Sequence, residues 1–567
     1  MTRQILLRAG LLILSSLWLA ACEGSYAEPV PLPESEQEPE VDSSAETAPP
    51  AHTPTPQPAG FWIQPGVPQT IVERAMPLLS EAGLVLLDGP EGADLQIVLD
   101  PGPDAILTTQ WVYTVAAPFP TVPDDVSWEA LQRYWGGDTS ALPAFGTPPR
   151  FVVSPDVVDL LLGRIGPVGE ATPLMIVDAE GLADIAWQSR PAISILPFEE
   201  LDPRWKVLSL DGLSVLDKGL DTNAYPLTIR VGVLAPTEAG QRAAALLQEG
   251  GGWMTTNRDP SRLTVVVVTG VTAMARATAM QMELRGYDFP ARNILPFFAD
   301  ADILHTSNES PFAPDCPEPE WTGEPVFCSQ RDYYALLETI GLDIVELTGN
   351  HINDWGREAL SYTLDVYDAN GLPYYGGGRD LTDARTPRIL TAPDGTRVAF
   401  VGCNSAGPYG AWATEEAPGA APCDDWTAIT ETITALKAND QADVVIATLQ
   451  YLELPQYDPS PQQVEDFGRL AAAGADIVSG SQAHQPQGFG FPAGGGFIHY
   501  GVGNLFFDQM DYIENRQMFA DKHILYEGRH ISTVLFTGMM EAWAQPRPMT
   551  PEERAEFLKL IFEASGW

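Results

Sequence analysis

The segment IVELTGNHINDWG, running from Ile344 to Gly356, passes within a few residues from a β-rich apolar run to Gly349, Asn350, His351 and Asp354. It reads as a buried strand that ends in a polar turn. The chain has only seven histidines, so one at a strand mouth has two readings. Either an ion or an oxyanion is handled there, or His351 and Asp354 hold a tight turn by hydrogen bonding.

The same design recurs on both sides of it. LTVVVVTGVT (263–272), ADILHTSNES (301–310), TRVAFVGCNSAG (396–407), ADVVIATLQYLE (442–453), ADIVSGSQAHQPQG (475–488) and FIHYGVGNLFFDQ (497–509) each run apolar and then turn polar. Helical stretches intervene, among them ALSYTLDVYDANG and PQQVEDFGRLAAAG. Strands buried on both faces read as continuous hydrophobic runs, and open α/β folds place their chemistry at the carboxyl ends of such strands. The pattern therefore predicts an α/β region over 262–567. At its strand ends Glu309, Asn350, His351, Gln450, Glu453, Gln482, His484 and Asn504 would converge.

Carboxylate, amide oxygen and imidazole suit a divalent ion such as Mn, Zn, Fe or Mg. Glu309, Asn350, His351 and His484 are the candidate ligands of one such metal, with Gln450, Gln482, Asn504 and Arg276 lining the pocket. His351, Glu309 and Asp354 are the candidate catalytic groups, His351 as the general acid because its free pKa lies near neutrality. The plain alternatives are that Asn350 caps a helix or turn and that Glu309 only pairs with Arg276. Gly376, Gly377 and Gly378 read first as a tight turn and only weakly as a phosphate cradle.

At the other end, Arg3 and Arg8 precede an apolar run too short for an ordinary membrane span, followed by Leu-Ala-Ala-Cys up to Cys22. This resembles a bacterial lipobox, implying a signal peptide over 1–21, a lipid on Cys22 and an extracytoplasmic, lipid-anchored protein. Residues 22–60, rich in Pro, Glu, Ser and Thr, read as a disordered tether. The formal charge of −45, from 76 acids against 31 bases, argues against nucleic acid and against an anionic surface, since both need a basic footprint. The expected partners are the membrane, through the lipid, and an envelope polymer or envelope protein. The four cysteines beyond Cys22 permit three pairings, and proximity favours Cys316–Cys328 and Cys403–Cys423.

Residues 61–234 alternate short strands and helices, which predicts an α/β domain with a mixed sheet. YTVAAPFPTVPDDVSWEALQRYWGG and AISILPFEELDPRWKVLSLDG resemble parts of type 2 periplasmic binding proteins. Trp111, Trp128 and Trp187 could line a cleft there, although core packing is the default for each. Residues 235–261 read as a connector.

ADILHTSNESPF, ELTGNHINDWG, LPYYGGGRD, DARTP, GADIVSGSQAH and IHYGVGNLFFD together resemble the poly-gamma-glutamate capsule-synthesis CapA-like family over about 263–507. The resemblance implies a calcineurin-type metallophosphoesterase-like, four-layer α/β/β/α sandwich with a metal centre at the strand ends. It also implies a role in making or attaching a capsule polymer. Against the family pattern, Val271 stands where an Asp ligand is expected, and Gln450 and Gln482 stand where histidines are. Two functions are therefore open. One is recognition or assembly of an envelope polymer with a degenerate metal centre; the other is a metal-dependent hydrolase or transferase acting on a polymer or phosphoester.

Overall fold

The computed structural model describes residues 59–567. The segments expected to be a signal peptide and a tether, with the expected lipid site at Cys22, lie outside the described residues but for the last two positions of 22–60. Among the described residues no helix is long and apolar enough to cross a membrane.

In the rear region, the apolar runs become the strands of two sheets. The first sheet has the order Tyr374–Tyr375, Ile344–Glu346, Ile303–Asn308, Leu263–Thr272, Gln517–Tyr526, Arg529–Glu541, Gln545–Pro548, with Asn504–Phe506 paired to the end of Leu263–Thr272. Its first four strands are parallel and the later ones antiparallel. The second sheet has the order Arg388–Thr391, Arg397–Asn404, Val444–Gln450, Ile477–Ser481, Phe497–His499, Phe489–Gly490.

Alternation along the strands explains how the layers stack. Val266, Val268, Ile303 and Ile344 of the first sheet share one core with Val398, Phe400, Val444, Ile446 and Ile477 of the second. The neighbouring residues Ala399, Val401, Val445, Ala447 and Val478 point the other way, against Ile433, Leu436, Phe467 and Leu470 of helices Trp426–Ala438 and Pro461–Ala472. Val265, Val267, Leu304 and Val345 likewise face Leu360 and Leu364 of helix Arg357–Asn370. Helix, sheet, sheet and helix therefore stack as four layers, and each parallel strand is buried on both faces.

The front region forms one mixed sheet. Strand Leu107–Pro118 pairs with Thr228–Leu234 over its first half and with Ala192–Pro197 and Trp205–Leu210 over its second. One strand thus belongs to both halves of the sheet. Helix Gln69–Glu81 buries Ile71, Ala75 and Leu79 and leaves Val72, Met76 and Leu78 half-covered. Trp111 is fully buried core, while Trp187 sits at the seam with the rear region. Within 235–261, helix Glu238–Glu249 packs on the front sheet, and Asn257 exchanges two hydrogen bonds with the Val112 backbone, at 2.8 and 2.9 Å. That stretch is integrated structure, tied into the front core.

The two regions meet across a wide seam. Phe119 lies edge-on to Phe489, Phe491, Phe497, Phe562 and Trp567, and Phe198 to Tyr526. Arg554 binds Asp124 with two hydrogen bonds of 2.8 Å.

Candidate functional site

The strand ends of the first sheet and of the second meet at one rim, and small residues let them do so. A side chain on Gly270 would collide with the Gly503 carbonyl, and one on Gly480 with that of Tyr500. Only glycine lets these connections close over the strand ends. Gly376, at φ +72°, turns the chain so that Gly377 and Gly378 pair with Ala420 and Gly419. The glycine triplet therefore makes a strand crossing.

Here the predicted residues assemble. Glu309 is fully buried, and its Oε1 accepts a 2.8 Å hydrogen bond from Gln450 Nε2. The same nitrogen lies 3.2 Å from Asn350 Oδ1 and also contacts Gln482 Oε1. Gln450 Oε1 accepts from Ser481 Oγ at 2.7 Å. One amide nitrogen thus stands at the focus of three oxygens supplied by three connections. Glu309 Oε2 is buried without a partner. Burial pushes the Glu309 carboxyl up to about 7; the nearby His351 pulls it down, and Glu346 and Glu453 push it further up.

The two histidines are each held through Nδ1. His351 Nδ1 lies 2.7 Å from Asp354 Oδ2, which also accepts the Phe327 amide at 2.9 Å. Burial works to lower the His351 pKa, but the Asp354 hydrogen bond and the Glu309 charge outweigh it, and the pKa is raised. His484 Nδ1 lies 2.9 Å from Asn504 Oδ1, and burial lowers this imidazole to about 4, with His351 and Arg276 adding to the depression. His484 is therefore neutral near pH 7, and as its Nδ1 donates to Asn504, its Nε2 is an acceptor. Gln482, at φ +80°, and His484, at φ +53°, both occupy backbone conformations that L-residues rarely adopt. Such strain persists where the surroundings dictate side-chain aim.

Three residues beyond the sequence reading complete the rim. Phe327, from the loop bracketed by Cys316–Cys328, lies 4.3 Å from the His351 ring, and Phe507 lies 5.3 Å from His484. Arg276 sits over both phenyl rings, at 4.8 and 5.3 Å, and pairs with the third, Asp508, through hydrogen bonds of 2.5 and 3.2 Å. The alternative reading, a Glu309 that only pairs with Arg276, is therefore not realised: Asp508 lies just beyond Asn504–Phe506 and takes the guanidinium. Adjacency of the polar residues to LFFD was the available signal. Both disulfides form as proximity favoured, with Cα separations of 5.8 Å for Cys316–Cys328 and 5.1 Å for Cys403–Cys423.

The donor set does not fit a resident metal. The two imidazoles are oriented through their Nδ1 partners as metal ligands are, but the rest of the site is built otherwise. Val271 belongs to an apolar cluster with Ala273, Ala275, Phe327 and Phe507. Gln450 places an N–H donor at the oxygen focus. Among the described residues no three His, Cys, Asp or Glu side chains group as ligands for an ion. The expected ligands Glu309, Asn350, His351 and His484 all lie at this rim, where Glu309 and Asn350 each turn one oxygen to Gln450.

Residues 265–509 match the family model described as bacterial capsule synthesis protein PGA_cap. The chain is 26% identical over 300 residues to the capsule biosynthesis protein CapA of Bacillus anthracis, an alignment spanning 52% of this chain and 71% of the relative. It is 24% identical over 236 residues to the PGA biosynthesis protein CapA of Bacillus subtilis, spanning 42% and 61%. Among solved structures, the 5'-nucleotidase precursor of Thermus thermophilus aligns at 13% identity over 54% of this chain and 58% of that one, with a TM-score of 0.30.

Proposed function

From a rear region that carries a capsule-synthesis PGA_cap domain, we propose that this protein recognises or assembles an envelope polymer, or the partner that carries it, without a resident metal. In this reading it stands outside the cytoplasm on a lipid at Cys22. The front domain acts as a binding-protein-like module locked to the rear one, and the rim around His351 is a hydrogen-bonding cleft. The single observation that carries the proposal is the Gln450 amide nitrogen at the focus of Glu309, Asn350 and Gln482. The two N–H groups of that neutral amide can serve two of the three oxygens, which supports a rim that holds its shape with no ion. The capsule context is supported by the names of the relatives.

The test is metal content. The full chain, loaded with Mn or Zn and then dialysed, is expected to retain far less than one equivalent. A variant carrying Val271→Asp, Gln450→His and Gln482→His is expected to retain metal. One tightly held equivalent in the unchanged protein would overturn the reading.

A second reading rests on a separate observation. Glu309, with an unpartnered Oε2 and a pKa near neutrality, lies close enough to the His351–Asp354 pair for their charges to couple. That pairing can move a proton without metal. It predicts a pH-dependent hydrolysis or transfer abolished by His351→Ala, whereas recognition alone predicts polymer binding with no turnover.

A further inference from the structure

Away from the rim, one carboxylate of the front region has no basic partner among the described residues. Glu199, in the turn after strand Ala192–Pro197, is half-buried. Its Oε1 accepts from Thr70 Oγ1 at 3.3 Å, and its Oε2 accepts from Asn257 Nδ2. The Trp111 indole N–H, fully buried and without a well-formed hydrogen bond of its own, lies close enough to help hold that carboxylate ionised. Arg529 of the rear region reaches only the Glu199 backbone carbonyl, at 3.3 Å.

Neutral donors alone therefore face the charge. Burial raises the Glu199 carboxyl above its ordinary value, while its own backbone, Asn257, Thr70 and Trp111 pull it back down. Next to it, burial with the Glu199 and Asp156 charges pushes Glu200 up to about 7. A carboxylate is thus kept where desolvation and a neighbouring acid oppose it. A neutral side chain would fill the same space without that cost.

The donors come from three separate segments and are set in advance. Thr70 belongs to the first turn of helix Gln69–Glu81, whose N-terminal end favours negative charge. Trp111 lies in strand Leu107–Pro118, which both halves of the front sheet share. Asn257 is buried and aimed by the Val112 backbone, which binds its Oδ1 at 2.8 Å and its Nδ2 at 2.9 Å. The second N–H of that amide is left for Glu199.

We propose that Thr70, Trp111 and Asn257 form a carboxylate-binding site whose tethered occupant is Glu199. Glu199 follows a strand of the second half of the front sheet, and the helix of Thr70 follows strand Gly60–Ile63 of the first half. The occupant therefore ties the two halves together, and a free carboxylate must displace it to enter. Held by its own backbone, Glu199 reaches Thr70 only at 3.3 Å and leaves the Trp111 N–H without a close bond. A free carboxylate has both contacts to improve. The inference concerns the front region and does not depend on the rim's role.

Glu199→Ala deletes the γ-carbon and the carboxyl group, together the size of an acetate ion, so acetate is the probe. The full chain carrying this change is expected to melt below the parent in sodium chloride. It is expected to regain roughly 2 °C or more in about 100 mM sodium acetate at equal ionic strength. The parent and the isosteric Glu199→Gln, in which the site stays filled, are expected to show no such gain. Adding Thr70→Val to Glu199→Ala is expected to raise the acetate concentration required several-fold. Should Glu199→Ala not fold in chloride, the refolding yield is read instead and is expected to be higher in acetate. Equal melting or equal yield in the two salts would overturn the inference, and so would a gain of the same size in the parent or in Glu199→Gln.

Discussion

Two groups of buried histidines occupy the rear domain, and they were built for different ends. At the rim, His351 and His484 stand beside Glu309, Gln450 and Gln482, with His351 still partly exposed. Between the sheets, His499, His523 and His530 are buried with Asp521 and walled by Phe489, Phe497 and Phe519. His499 Nδ1 lies 2.5 Å from Asp521 Oδ2, and His523 and His530 share Thr533 Oγ1 at 2.9 Å each. Nitrogens of all three histidines lack partners there. Burial and unpaired polar atoms are thus common to both clusters. What separates them is access, and with it the convergence of several chain segments' polar groups on one point. The inner cluster is sealed on all sides, whereas the rim keeps His351 partly exposed.

The sharpest way to break this contrast is Asp521→Ala. It leaves His499 unpaired in a sealed interior and is expected to cost about 3–5 kcal/mol in denaturant unfolding. A loss below about 1 kcal/mol would mean that the inner cluster is reached by water and is no different from the rim.

Acid should act on the inner cluster next. Burial lowers His530 to about 3 and His523 well below its ordinary value. Both stay neutral in the folded protein while the unfolded chain takes up protons below about 6.5. The unfolded state then binds more protons, so stability falls as pH drops, by about 1.4 kcal/mol per pH unit for each histidine between roughly pH 6 and 4. His530→Asn is expected to flatten that slope by one proton's worth in pH-dependent melts.

At the rim the effects shrink. Gln450→Ala removes the shared donor and leaves Glu309, Asn350 and Gln482 to be met by water, at an expected loss of about 1–2 kcal/mol. His351→Ala is expected to cost about 1 kcal/mol at about pH 6. The His351 pKa is raised, so its contribution is fully present below about 6.5 and disappears as pH climbs through the folded value. The difference between parent and variant should therefore narrow by about pH 9. A constant difference would show that the Asp354 contact carries no charge dependence.

Much of this was legible in the sequence, for a physical reason. Strands covered on both faces must be continuously apolar, so LTVVVVTGVT and ADVVIATLQ announced their layer and their ends. The residues just past such a strand necessarily lie at the rim, and Glu309, Asn350, His351, Gln450, Gln482 and His484 were readable as neighbours. Their pairings were not. Whether Gln450 offers its nitrogen or its oxygen depends on three partners 32, 100 and 141 residues away. Phe327 and Asp508 were missed because a loop residue and a post-strand acid carry no periodicity; only the fold brings one onto His351 and the other onto Arg276.

The wide seam has a practical consequence. Phe119 and Phe198 sit in sockets made by the rear region, while Asn257 and Arg258 are buried and clasp the front one. A cut near 255–262 would yield two fragments with greasy, half-built surfaces instead of two transferable modules. In expression trials, gene fusions or grafting onto other anchors, the two parts must travel as a single cargo.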